Sequence, residues 1–196
     1  MLEVNGHPLR NAASERILLV IDLDSTLIFA AESEIHKQYD YKVFQFFVYL
    51  RPYFLQFLRS VSGYFSLALW SAGSDKYVQN IFEKVFPPEI PFDFVWARSR
   101  CDFEGYSKEF VHENDLYSKD LKVLKRYGYK MERVLIMDDS PNICMKNKKN
   151  SIHVQPFLGG TGDKELLYLN EYLMKVSREE NVMELDTSKW YKHFVR

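Results

Sequence analysis

Apolar residues in this chain come in two kinds of run. Ile17 to Ile21, Tyr64 to Trp70 and Arg133 to Met137 form nearly unbroken blocks. A block apolar at almost every position predicts a strand buried on both faces, as in a parallel sheet. Ser151 to Gln155 reads as a fourth strand, and the aromatic run Val43 to Leu50 as one or two extended strands. Elsewhere the apolar positions are spaced as on helices. Pro52 opens a helix over Tyr53 to Val61, closed by Gly63. Ser74 or Asp75 caps a helix that Pro87-Pro88 stops near Phe86. Ser118 caps a helix through Tyr127, with Gly128 after it. Asp163 to Val176 reads as an amphipathic helix. Residues 91–117 suit a small hairpin-like insertion outside the core. Strands alternating with helices predict an open α/β sheet of Rossmann-like type.

Composition narrows this little. The 196 residues suit one domain. A formal net charge of -1 argues against a nucleic-acid binder. The basic run Lys146 to Asn150 reads as a solvated loop. Two cysteines, Cys101 and Cys144, imply no disulfide framework and suit a soluble protein of a reducing, cytoplasmic or nuclear-type compartment. No apolar run reaches the roughly 20 residues that cross a bilayer, and no signal-peptide core stands at the start.

The chemistry lies where the apolar blocks end. The first runs into Asp22 and Asp24, the second into Ser71, and the third into Asp138 and Asp139. Lys119 opens the helix before the third. Ligands of such sheets sit beyond the carboxyl ends of the strands. Neighbouring strands would therefore gather four carboxylates, a hydroxyl and an ammonium in one crevice. That many carboxylates cannot ionise together without a cation. All-oxygen donors favour a hard ion, and Mg²⁺ fits because it needs only a few carboxylates plus water or phosphate. A phosphoryl group suits a metal, a lysine and a serine. One aspartate can attack phosphorus, and the second can move the proton. Each piece alone has an ordinary structural explanation, such as a turn, a cap or a solvated lysine; the joint pattern does not. A cysteine-based phosphatase is excluded, because six residues after Cys101 and Cys144 stand Ser107 and Asn150 rather than arginine.

At these residues the chain resembles a known family. Asp22-Leu23-Asp24-Ser25-Thr26 matches the signature of haloacid dehalogenase (HAD) superfamily phosphatases. With Leu50-Arg51-Pro52, Leu69-Trp70-Ser71-Ala72-Gly73, Tyr117-Ser118-Lys119-Asp120-Leu121 and Val134 to Pro141, it is similar to the RNA polymerase II C-terminal-domain phosphatases of the NLI-interacting-factor-like group. The resemblance spans roughly Glu15 to Ser177. It implies Asp22 as nucleophile and Asp24 as general acid/base. It implies Mg²⁺ on the Asp22 carboxylate, the Asp24 carbonyl and Asp139, with Asp138 orienting Lys119 or reaching the metal through water. It places Ser71 and Lys119 on phosphate and Thr26 on the loop or the phosphate. The domain expected is 15–183, after a polar lead-in (1–14) and before a tail (184–196). The segments Phe29 to Phe44 and Phe92 to Tyr117 have their own sequences, so polymerase-tail specificity does not transfer.

The insertion is too short for a large cap, which favours a phosphorylated protein over a small metabolite. Phosphoserine, phosphothreonine and phosphotyrosine stay open. Phe29, Tyr39, Tyr41, Phe44, Tyr77 and Tyr106 are candidate walls, and Arg98 and Arg100 candidate partners of flanking negative charge. Family members in bacteria that live inside host cells act on phosphotyrosine, so an effector working in a host cell fits the resemblance. The competing reading is an inactive adaptor on the same fold. A monomer is expected, with membrane contact only through the aromatic and basic segment Trp190 to Arg196 or an extension outside this sequence.

Overall fold

In the computed structural model, which describes residues 4–8, 16–35, 38–106 and 115–193, the first apolar block forms β1 (Leu18–Ile21). A three-stranded antiparallel flap follows, made of β2 (Ile28–Ala31), β3 (Tyr41–Val43) and β4 (Phe46–Leu50), in the order β2-β4-β3. Next come α1 (Phe54–Tyr64), β5 (Ser66–Trp70), α2 (Asp75–Val85) and β6 (Phe94–Trp96). A hairpin of β7 (Asp102–Tyr106) and β8 (Asp115–Ser118) leads through a 3-10 helix (Leu121–Tyr127) to β9 (Val134–Asp138). Then α3 (Pro141–Lys146), β10 (Ser151–His153) and α4 (Glu165–Val176) complete the sheet and its cover. A last 3-10 helix spans Thr187–His193.

The central sheet is five-stranded, in the order β10-β9-β1-β5-β6, and every neighbouring pair is parallel. Alternation along β1 explains its unbroken apolar sequence. Leu19 and Ile21 enter one core with α1 and α4, whereas Leu18 and Val20 enter another with Trp70, Trp96 and Leu124. Burial of each such side chain contributes about 1.5–3 kcal/mol. The chain runs outward from β1 through β5 to β6, then returns to the other side of β1 as β9. The strand order therefore reverses between β1 and β9, the point where open α/β sheets bind ligands.

Several expectations need correction. Residues 91–117 are not wholly an insertion: Phe94–Trp96 is a buried strand of the central sheet, paired with β5. Its three aromatic and aliphatic residues are too few to carry a periodic signal. Helix α1 continues through Gly63, at a position where a side chain would meet nothing within 4 Å, and β5 starts at Ser66 instead of Tyr64. Ser118 ends β8; the cap of the following 3-10 helix is Asp120, which accepts from Lys122 N at 2.9 Å. The run at 146–150 is the end of α3 and a turn that leave Lys146, Lys148 and Lys149 exposed as expected but bury Asn147 and Asn150. Asn150 Nδ2 donates to Met131 O and Val134 O. The hairpin itself is present as β7 and β8.

At the chain ends, Val4 pairs in parallel with Val95 at the sheet edge. Trp190 is buried, donating to His153 O at 2.8 Å. Tyr106's side chain and residues 194–196 lie outside the described parts.

The flap turns at Phe44, which has φ 54° and is 52% exposed. The left-handed region costs a non-glycine residue roughly 1 kcal/mol or more, partly offset for glycine by its larger chain entropy. We expect Phe44→Gly to raise stability by roughly 0.5 kcal/mol, read as a higher urea midpoint at constant slope. A lower midpoint would contradict this.

Candidate active site

The three strands that end in polar residues are neighbours, so their ends converge. Asp22 directly follows β1, and its N–H donates to Met137 O of β9 at 3.0 Å. The chain then turns sharply. Ser25 adopts φ 57°, which lets Leu27 N and Ile28 N both reach Leu23 O. That turn holds Asp24 beside Asp22 at the mouth of the sheet.

Lys119 is the electrostatic centre. Its Nζ lies 2.5 Å from Asp22 Oδ1 and 2.8 Å from Asp138 Oδ2, and it is 1% exposed. Burial alone would lower the lysine pKa, but the two carboxylates outweigh it and hold the ammonium firmly charged. Asn147 fixes its backbone: Nδ2 donates to Lys119 O at 2.6 Å, and Oδ1 accepts from Leu121 N at 3.1 Å. Asp138 also accepts from Ser140 N at 2.9 Å, so both its oxygens are used.

Asp22, Asp138 and Asp139 can each offer an oxygen such that all three lie within 4.8 Å of one another. One lysine cannot neutralise them. Burial pushes the Asp22 carboxyl well up; Lys119 opposes this, while Asp138 and Asp139 add to it. Asp139 is raised by burial and by Asp138. A compact all-carboxylate set with surplus negative charge fits a hard divalent cation such as Mg²⁺.

Asp24 is built differently. Tyr77 Oη donates to its Oδ1 at 2.5 Å, and Ser71 Oγ donates to its Oδ2 at 3.3 Å. Burial raises the Asp24 carboxyl, and these two hydrogen bonds pull it back. Ser71 Oγ also accepts from Gly73 N at 2.9 Å. Gly73 has a local reason: a Cβ there would come within 2.8 Å of Tyr77 Cδ1.

The predicted residues Asp22, Asp24, Ser71, Lys119, Asp138 and Asp139 thus converge on one crevice. Others take different positions. Thr26 is fully buried and donates to Asp139 Oδ1 at 3.3 Å, bracing the loop after Asp24 against the one that carries Asp139. Tyr77 is no plain wall, since its hydroxyl is committed to Asp24. Its ring meets Phe46 of the flap edge-on at 5.6 Å between centroids. Phe29 packs against Tyr49. Arg98 donates to Ala72 O at 2.8 Å and lies over the Tyr117 ring, at the rim. Arg100 is held by Asn5 O and the Trp96 ring, which makes it structural.

Sequence reasoning missed three supports. Arg51, buried, makes a bidentate pair with Asp163 (2.9 and 2.9 Å) and donates to Thr26 O at 3.0 Å, clamping the turn after Asp24. His153 Nε2 lies 2.9 Å from Asp139 O. Asn147 holds Lys119. Of these, only Arg51 carried a signal, in the Leu50-Arg51-Pro52 motif.

Residues 17–183 match the model of the NLI interacting factor-like phosphatase family. The chain belongs to this family. It is 28% identical over 182 residues to CTD small phosphatase-like protein 2 of Dictyostelium discoideum, covering 89% of this chain and 30% of that protein. It is 28% identical over 176 residues to the human carboxy-terminal domain RNA polymerase II polypeptide A small phosphatase 1, covering 86% and 62%. The chain therefore spans less than two thirds of these relatives' lengths. Among solved structures, the RNA polymerase II CTD phosphatase Fcp1 superposes with TM-score 0.52 at 19% identity, over 93% of this chain and 52% of that one. That likeness bears on the fold alone, a parallel sheet flanked by helices.

Proposed function

We propose that the chain is a Mg²⁺-dependent phosphatase acting on phosphorylated protein side chains through an aspartyl-phosphate. The observation that carries this reading is Lys119 locked between Asp22 and Asp138 at the strand-order reversal, with a separately tuned carboxylate, Asp24, two residues after Asp22.

Asp22 attacks phosphorus through one carboxylate oxygen, and the bond to the leaving oxygen breaks. Asp24, raised by burial, gives that oxygen its proton. Asp24 then takes a proton from water as the water oxygen attacks phosphorus. The acyl-phosphate bond breaks, inorganic phosphate leaves, and Asp22 is regenerated. Lys119 and Ser71 hold the phosphoryl oxygens. Asp22, Asp139 and, directly or through water, Asp138 would hold Mg²⁺, which supplies positive charge to the phosphoryl group when bound. Between the flap and the β7–β8 hairpin no large cap encloses the crevice among the described residues, which suits a side chain presented by a protein.

Hydrolysis of an aryl phosphate should require added Mg²⁺ and stop with EDTA; equal rates in both would refute the metal assignment. Tyr77→Phe tests the proton step. Losing the hydroxyl removes a bond that favours the charged Asp24, so its pKa rises. Asp24 must be protonated in the first step, so the alkaline limb of kcat/KM should move to higher pH. We expect kcat to fall about tenfold with KM nearly unchanged. An unshifted profile would leave Tyr77 a packing residue.

A further inference from the structure

Behind the acidic loop lies a second cavity, of about 310 Å³, between β10, α4 and the last 3-10 helix. Three aromatic residues line it, Tyr168, Trp190 and Tyr191, together with His153, Gln155 and Glu165. Its volume falls at the lower end of small-ligand pockets. We infer that this cavity binds a primary ammonium group carried on an apolar stem.

Among the described residues the charge of its walls is one-sided: Glu165 lines it, and no lysine or arginine does. Glu165 is half-buried and has one modest partner, with Oε1 accepting from Gln155 N at 2.8 Å. Arg51 attracts it from behind, but that guanidinium is committed to Asp163, Thr26 O and Gln155 O, and Asp163 repels it. His153 ties the cavity wall to the acidic loop, its Nε2–H donating to Asp139 O at 2.9 Å. The Trp190 N–H is used on His153 O and offers no donor. Aromatic faces beside a carboxylate attract cations and not anions. An ammonium pairs with the Glu165 carboxylate, and its stem covers the rings. The occupant would sit one hydrogen bond behind Asp139, away from the phosphoryl crevice.

The test is titration of the full chain with n-butylammonium, following the Trp190 indole N–H by NMR. 1-Butanol serves as the uncharged analogue. Butylammonium should shift the resonance saturably, and Glu165→Gln, which keeps an acceptor for Gln155 N, should weaken binding about tenfold. Butanol should bind at least as poorly as butylammonium does to that variant. Equal binding of the alcohol and the amine, an unchanged affinity in Glu165→Gln, or no saturable shift would each overturn the inference. Should Glu165→Gln fail to fold, Tyr191→Ala, at a 47% exposed position, replaces it; a several-fold loss supports the site and an unchanged affinity refutes it. N-acetyl-lysine methylamide and spermidine then distinguish a protein's lysine from a free amine. None of these readings depends on phosphatase activity.

Discussion

Asp22→Asn should abolish turnover while leaving the fold intact. The amide keeps the size of the side chain, and its Oδ1 can still accept from Lys119. It cannot form an acyl-phosphate. Loss of a nucleophile typically costs about 10⁴–10⁶-fold in kcat. The stability consequence has the opposite sign from most active-site losses. Burial raises the folded-state pKa of Asp22 above its unfolded value. Such a carboxylate lowers stability as pH rises from the unfolded toward the folded pKa, and the penalty is complete above both. In the absence of Mg²⁺ at neutral pH, Asp22→Asn removes a charge from a crowded acidic cluster. We expect its melting temperature to equal or exceed that of the parent. An inactive variant that is also strongly destabilised would assign Asp22 a structural role instead.

Lys119→Met should do the reverse, damaging fold and activity together. Methionine fills similar space but leaves Asp22 and Asp138 without their shared cation. Breaking one side of a buried ion pair typically costs about 3–5 kcal/mol. Activity should fall by about 10²–10³-fold in molecules that remain folded, because a preorganised donor to the phosphoryl oxygens is lost. The double variant Lys119→Met/Asp138→Asn separates the two effects. It removes a repelling charge along with the lysine, so most stability should return while activity does not. Recovery of both would mean that Lys119 serves only to neutralise Asp138.

The uneven legibility of this fold has physical causes. Strands β1, β5 and β9 were readable because burial on two faces forces unbroken apolar sequence. Their ends were readable because an aliphatic block turning abruptly into aspartate or serine has few explanations. Strand β6 was hidden by its length, since three residues carry no period. The run at 146–150 was legible in part: its lysines face water, as their charge suggested, whereas Asn147 and Asn150 spend their amides on buried backbone. Nor could spacing pair Arg51 with Asp163, which meet only after the whole sheet is assembled. Tyr77 was legible as an aromatic near the crevice but not as a donor to Asp24. Its role depends on the pitch of α2 and on the open space left by Gly73.

The central claim is that Asp22 carries the phosphoryl group. Its most direct test is to quench the enzyme in acid during turnover of a phosphopeptide with Mg²⁺, digest it, and locate the added phosphate by mass spectrometry. We expect a hydroxylamine-sensitive phosphate on the peptide bearing Asp22, absent from Asp22→Asn. Phosphate trapped on another residue, or an Asp22→Asn variant that still turns over the phosphopeptide, would contradict it.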